Sequence, residues 1–195
     1  MGKAGRRGVI LEEAMRVFSS KGYSAASLGE IAAAAGITRS SMYEHFPSKK
    51  ALFLEVLSRQ TEAAIAYVEP KVTEAGSGER RMRAAVSAYF EYAVNNPAAW
   101  RLLFDRSREG DPEVQRLRWE VRSSSVEMIK RMLGADFEQA GIDAGTVAGP
   151  VVVELAVSAL DGATRWWERH PETPVDDLVC AVTRMLLTGL RPLPG

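Results

Sequence analysis

Cysteine and histidine are scarce in this 195-residue chain, and their scarcity excludes several kinds of functional site. The single cysteine, Cys180, can form neither a disulfide within the chain nor a multi-cysteine metal site. We expect Cys180 to be a small core residue, because free cysteine is usually buried. The two histidines, His45 and His170, are far apart in the sequence. We therefore expect no metal and no cofactor.

Long apolar runs are also missing. The most apolar stretch, residues 147–160, contains Glu154 and is followed by Asp161, so it does not match a membrane-spanning helix. The first residues include basic side chains but not the apolar run of a secretory signal. We therefore expect a cytoplasmic protein with no membrane partner.

The sequence contains no HExxH, GxSxG, P-loop or GxGxxG pattern. The neighbouring acids Glu12 and Glu13 point in different directions on a helix, so they do not converge as a catalytic pair would. His170 precedes Pro171 at a predicted helix end, where it can bind terminal carbonyls without a catalytic role. These observations favour a protein that is not an enzyme.

Charge is distributed unevenly along the chain. The net charge is zero, yet residues 1–50 carry eight lysines and arginines against four acids. The remaining residues carry a matching acidic excess. A basic N-terminal region on an acidic body favours a polyanionic partner for that region.

Glycine and proline punctuate segments with helical periodicity, and no segment shows the sustained alternation of a strand. This pattern predicts an all-α fold of about nine helices. A first helix ends near Gly22, and the other predicted helices cover about residues 27–36, 38–46, 49–69, 80–95, 98–108, 113–139, 146–169 and 175–190.

The second and third predicted helices are short and form a helix-turn-helix pattern. Ser27 and Glu30 have the spacing of a capping box, in which Glu30 reaches back to the helix start. Gly36 permits the tight turn, and Thr38 is a suitable cap for the third helix. In such modules the last helix enters the major groove of DNA. The pattern therefore predicts that residues 38–46 form a recognition helix.

The third helix has two different faces. Met42 and Phe46 share the inward face, and the polar side chains between them are left outside. Arg39 suits a guanine edge, and Tyr43 suits a phosphate. Each of these side chains taken singly is equally typical of an ordinary solvated helix face. The predicted DNA-binding residues are Ser27, Thr38, Arg39, Ser40, Ser41, Tyr43, His45 and Lys49.

Residues 9–54 resemble the DNA-binding segment of the TetR family of bacterial transcriptional regulators. The matching features are KGY, the run IAAAAGIT, YEHF, and the spacing S-K-x-x-L that starts at Ser48. The resemblance implies a DNA-binding domain over residues 1–47 and an effector-binding and dimerisation domain over 48–195. It also implies a homodimer that binds a double-stranded DNA operator, as a repressor more often than an activator.

Two positions depart from the family pattern. Ala26 replaces a common threonine, and Gly29 replaces a longer polar residue. These departures place more of the phosphate contact on Ser27, Tyr43 and Lys49. They also motivate an alternative reading, a helical interaction protein with a degenerate helix-turn-helix that no longer binds an operator.

The body of the chain is rich in large apolar side chains, which suggests a pocket for an apolar or aromatic effector between the fifth, sixth and seventh helices. An ordinary packed core explains the same residues. If the pocket exists, effector binding shifts the fourth helix and changes the separation of the recognition helices. The predicted pocket residues are Tyr89, Trp100, Phe104, Arg118, Val121, Ser125 and Met128.

The last two helices carry apolar residues at helical spacing, and two such helices from each of two subunits make a four-helix bundle with two-fold symmetry. The alternative is that these helices complete the core of a single subunit. The predicted interface residues are Leu155, Ala159, Ala163, Trp166, Leu178, Val182 and Leu186.

Overall fold

The computed structural model describes residues 3–76, 78–104, 112–139 and 145–189, and helices form all the regular secondary structure of these residues. None of these helices combines the length and the apolar character that crossing a membrane requires. The predicted all-α fold is confirmed. The helices are α1 (Lys3–Ala25), α2 (Leu28–Ala34), α3 (Arg39–His45), α4 (Lys49–Glu74), α5 (Gly78–Asn95), α6 (Pro97–Phe104), α7 (Pro112–Gln139), α8 (Ala148–Trp167) and α9 (Val175–Gly189).

The fourth helix does not end before Pro70, although the sequence predicts an end near residue 69. The helix runs through Pro70 to Glu74. The missing proline N–H removes one intrahelical hydrogen bond. Beyond it, Val72 is fully buried in an apolar cluster with Leu133 of α7 and Val153 of α8. This burial favours continuation of the helix, so the prediction of an end near residue 69 is wrong.

The first of two compact units comprises Met1–Ala63 and Asn96–Val121. Its core joins α1, α2, α3 and the start of α4, and it includes Leu102 of α6 and Leu117 of α7. The predicted inward residues Met42 and Phe46 are buried in this core. Because the start of α4 also packs there, the unit extends beyond residue 47. The division of function at that residue remains a prediction.

The second unit comprises Ala64–Asn95 and Arg122–Gly195. Here α5 packs against α9 through a cluster that contains Val86 and Phe90 of α5 and Leu178 of α9. The cluster around Val72 forms a separate apolar region of the same unit.

An ion pair links α4 to α5 within the second unit. Lys71 Nζ donates to the Glu91 carboxylate, and Tyr67 donates to the same group at 3.1 Å. The Lys71 hydrogen bond, with those of Tyr67 and Ser87, lowers the pKa of Glu91 below its ordinary value of 4.5, although burial opposes the shift. The hydrogen bond to Glu91 raises the pKa of Lys71 above 10.5.

These shifts predict how stability depends on pH. Since the folded-state pKa of Glu91 is lowered, its contribution is present above pH 4.5 and is lost as pH falls through the folded-state pKa. The contribution of Lys71 is present below pH 10.5 and is lost as pH rises through its raised pKa. We expect Glu91→Gln to flatten the acid limb of urea midpoints measured against pH. Parallel acid limbs for both proteins would contradict this.

Candidate nucleic-acid interface

Side-chain caps begin both helices of the helix-turn-helix. Ser27 Oγ accepts a hydrogen bond from the Glu30 amide, and Thr38 Oγ1 accepts one from the Ser41 amide, each at 3.1 Å. These caps confirm two predictions. The Glu30 side chain does not reach back to the helix start, because its carboxylate pairs with Lys21 of α1. That half of the predicted capping box is wrong.

The turn between α2 and α3 depends on Gly36, whose φ of 67° lies in the left-handed region that favours glycine. Its amide donates to the Ala33 carbonyl at 3.1 Å, and the Ile37 amide donates to the Ala32 carbonyl at 2.9 Å. The turn therefore satisfies the last carbonyls of α2 and starts α3 in a defined direction.

The recognition helix α3 separates its residues onto two faces. Met42 is fully buried, whereas Arg39, Ser40 and Tyr43 are exposed, with Tyr43 47% exposed. Thr38 is also exposed, although its hydroxyl already caps the helix. Ser41 and His45 are partly buried, and Ser27 is exposed at the start of α2. The outward side of α3 thus combines a cation, an acid, hydroxyls and an aromatic ring.

The predicted phosphate contact requires an available ammonium on Lys49, but this ammonium is bound within the subunit. Its Nζ donates to the carbonyls of Tyr23, Ser24 and Ala26 at 2.9, 3.4 and 3.0 Å. The ammonium also lies 4.4 Å from the centre of the Tyr23 ring. Since an ammonium has three donors, these contacts use all of them. These contacts favour a structural role for Lys49, which joins the start of α4 to the end of α1 and to Ala26, over the predicted phosphate contact.

Sequence reasoning missed the role of Arg7, which it counted only in the basic excess. Arg7 of α1 forms a bidentate ion pair with Glu55 of α4. Its Nη1 donates to the His45 carbonyl at 3.1 Å, and its guanidinium lies 4.3 Å from the centre of the Phe46 ring. The partners are 48 and 38 residues away in the sequence, so no local pattern signals them.

Gly29 in α2 has space beside it for a larger side chain. A Cβ built there meets only Ser27 Oγ, at 4.0 Å. Glycine costs a helix interior about 1 kcal/mol relative to alanine. We expect Gly29→Ala to raise the free energy of unfolding by about 1 kcal/mol in urea denaturation.

The matched control is Gly36→Ala. There the positive φ strains any residue with a Cβ, although no atom lies within 4 Å. We expect this variant to be destabilised by about 1 kcal/mol. Equal effects of the two substitutions would contradict the backbone argument.

The predicted effector residues do not lie within one unit. Trp100 is buried and Arg118 partly buried in the first unit, because α6 and the start of α7 join its core. Tyr89 belongs to the second unit, where its hydroxyl donates to buried Asp161 at 2.7 Å. The structure describes the backbone but not the side chains of four predicted pocket residues: Phe104, Val121, Ser125 and Met128.

Leu155 and Trp166 are exposed on α8, as their predicted place at an interface requires. The remaining predicted residues of α8, Ala159 and Ala163, are half-buried.

On α9 the predicted interface residues Leu178 and Val182 are buried in the subunit's own core, against Val86 and Phe90 of α5. Only their outer edges reach an apolar surface groove, and Leu186 packs against the same cluster. This corrects the prediction for Leu178 and Val182, which stabilise the subunit itself.

Cys180 is exposed on α9, so its predicted burial is wrong. The helix buries Leu178, Val179 and Val182, and residue 180 falls on another side of it.

Similar proteins agree with this architecture. The family model described as "Bacterial regulatory proteins, tetR family" matches residues 10–56. The transcriptional activator FasR of Mycolicibacterium smegmatis is 28% identical over 97% of this chain and 84% of its own length. The transcriptional repressor KstR2 of Rhodococcus jostii is 26% identical over 97% of this chain and 93% of its own length.

Among solved structures, the regulator FadR of Bacillus subtilis in complex with stearoyl-CoA superposes with a TM-score of 0.77 at 16% identity. The match covers 93% of this chain and 98% of FadR. The fold is therefore shared over nearly the whole length of both proteins. The matched helix-turn-helix segment and the full-length relatives support a DNA-binding transcriptional regulator of the TetR family.

Proposed function

We propose that this protein is a ligand-responsive repressor that binds an inverted-repeat operator as a homodimer. The observation that carries the proposal is the outward face of α3, where Arg39, Ser40 and Tyr43 are exposed opposite the buried Met42. One α-helix fits the major groove, and side chains on one face of it reach base edges.

Arg39 is a cation of this face, and its guanidinium suits the O6 and N7 atoms of guanine. The hydroxyls of Ser40 and Ser41 suit several base edges, while Tyr43 and Ser27 suit phosphates. Thr38 and His45 border the face at the two ends of α3. Lys49 is left out of the phosphate contacts because its ammonium is engaged within the subunit.

The electrostatic attraction to DNA is smaller than the count of basic residues suggests. Arg7, Arg16, Lys21 and Lys49 each bind a partner inside the subunit. Each phosphate neutralised on duplex DNA adds a slope of about −0.9 to log K against log salt concentration. We therefore expect a modest salt slope, with selectivity arising from the base contacts of α3.

The dimer interface follows an exposed apolar surface on the last two helices. Val151, Leu155 and Trp166 of α8 and Met185 of α9 are each 41–64% exposed. Exposed apolar side chains grouped in this way are typical of an interface. A second copy of the same two helices completes a four-helix bundle.

Gly162 supports this choice of surface. It lies on α8 between Leu155 and Trp166 at helical spacing, and a Cβ built there meets nothing within 4 Å. A helical glycine costs about 1 kcal/mol relative to alanine, and the described part of the subunit offers no packing reason for it. The close approach of a helix from a second subunit provides such a reason.

An apolar effector is the ligand class that best fits the second unit. Its helices α4, α7 and α8 meet around Val72, Leu133 and Val153, with further valines and isoleucine around them. FadR, which shares the fold, is bound to stearoyl-CoA in its structure. Because α4 continues from this region to the core that holds α3, a ligand with unequal affinity for two positions of α4 changes operator binding.

Selection of random duplexes by the purified protein at near-physiological salt tests the proposal. We expect the sequenced bound pool to contain an inverted repeat with half-sites about one helical turn apart. Arg39→Gln is expected to relax the selected sequence at one position of each half-site. A pool without enrichment, with and without metabolite extract, would contradict operator binding.

A further inference from the structure

The C-terminal end of α3 depends on a residue from another helix. Phe46 donates its amide to the Met42 carbonyl, and Pro47, which follows, has no amide to donate. The last carbonyls of a helix lack intrahelical donors. Arg7 Nη1 supplies one to the His45 carbonyl at 3.1 Å and places a positive charge at the negative end of the helix dipole.

The same guanidinium is fixed from the other side by α4. Its Nε and Nη2 donate to the two carboxylate oxygens of Glu55 in the fork geometry that only arginine offers. Its plane also packs near the buried Phe46 ring. One side chain of α1 therefore connects the end of α3 to the second turn of α4.

We propose that Arg7 and Glu55 are positioning residues for DNA recognition, which hold the end of α3 at a set place relative to α4. The proposal rests on operator binding by α3. It assigns Arg7 to the support of α3, since three of its five N–H donors bind Glu55 and the His45 carbonyl. A shift of α4 is then passed to α3 through Glu55 and Arg7.

Electrostatic attraction alone and a positioning role predict opposite effects on operator binding when Glu55 is removed. Removing the acid Glu55 from the DNA-binding unit strengthens DNA binding if electrostatic attraction is all that matters. If Glu55 instead holds Arg7 in place, its removal weakens operator binding. Glu55→Gln therefore separates a positioning role from a charge effect by the sign of the change.

The experiment measures affinity for the selected operator and for a scrambled duplex over a range of salt concentrations. The variants are Arg7→Gln, Arg7→Lys and Glu55→Gln. Arg6→Gln is the matched control for Arg7, because Arg6 is the exposed neighbour on α1. Glu62→Gln, an exposed acid on α4, is the control for Glu55.

We expect each of the three variants to bind the operator about tenfold more weakly, the effect of losing a hydrogen bond to a charged group. Affinity for the scrambled duplex and the salt slope on it are expected to stay at the wild-type values. Arg7→Lys keeps the charge but lacks the fork, so it should not restore operator affinity. Both controls should preserve the ratio of operator to scrambled binding.

Tighter operator binding by Glu55→Gln would overturn the proposal. So would a salt slope reduced by about 0.9 for each Arg7 removed, since that would make Arg7 a phosphate contact. Full operator affinity in Arg7→Lys would also overturn the proposal, because it would show that only the positive charge at this position matters.

Hydrogen exchange of the free protein gives a readout that does not need DNA. We expect Arg7→Gln to speed exchange of the amides of residues 39–46 more than that of α1 and α2, and Arg6→Gln to leave it unchanged. Unchanged amide exchange in α3 would overturn the positioning role of Arg7, even if the wild type binds an operator. Failure of the wild type to select any operator would instead contradict the proposed function. The exchange result would still decide whether Arg7 holds the end of α3 in place.

Discussion

We expect Lys49→Met to lower the free energy of unfolding by about 3 kcal/mol in the absence of DNA. Methionine keeps the length of the side chain but has no donor for the carbonyls of Tyr23, Ser24 and Ala26. Two of these carbonyl contacts are partly buried, so water does not fully replace the ammonium. The favourable contact of the cation with the Tyr23 ring is lost as well.

Urea denaturation followed by far-ultraviolet circular dichroism measures this effect. Arg39→Met is the matched control, because Arg39 is an exposed cation of the same unit. We expect it to change the free energy of unfolding by less than about 0.5 kcal/mol while weakening operator binding by about 1–3 kcal/mol.

The two variants together distinguish a structural lysine from a phosphate contact. Unchanged stability of Lys49→Met, combined with a reduced salt slope for DNA binding, would restore the phosphate role that the sequence predicts. A stability loss with an unchanged salt slope supports the structural role.

The second large effect concerns assembly. Leu155→Lys places a charge on the exposed apolar surface of α8, where the side chain is 64% exposed and the subunit core is left intact. We expect monomers in size-exclusion chromatography with light scattering. Operator affinity should fall about 100- to 10,000-fold, because two linked recognition helices bind far more tightly than one.

Val94→Lys is the control for Leu155→Lys, since Val94 is an exposed apolar residue on α5 outside the proposed interface. It should remain dimeric. Gly162→Val adds bulk where the subunit has room, so loss of the dimer in this variant reports the approach of a partner helix. A dimeric Leu155→Lys protein with wild-type operator affinity would contradict the interface.

The packing of α9 against α5 shows why helical periodicity alone assigns interface residues imperfectly. An amphipathic helix reveals an apolar stripe, but the stripe of α9 is already used by α5 through Val86 and Phe90. The apolar residues available to a second subunit are therefore those that α5 leaves uncovered, such as Met185, and exposed residues of α8 such as Leu155. Which side of an apolar helix remains open depends on packing among helices that are distant in the sequence.

Local features were determined by the sequence itself. The caps Ser27 and Thr38 and the turn at Gly36 each depend on residues within one or two helical turns. Hydrogen bonds and steric limits at that range act on any chain with the same residues. The all-α fold and the helix-turn-helix follow from them.

The tertiary structure alone decided the partners of the charged residues. Lys49 binds carbonyls 23–26 residues earlier in the chain, and Arg7 binds Glu55 across 48 residues. A lysine or arginine is compatible with solvent, phosphate or a carbonyl until packing brings one of them within reach. The outward face of α3 is thus determined by local sequence, whereas the contacts of Arg7 and Lys49 exist only because the core brings α1, α3 and α4 together.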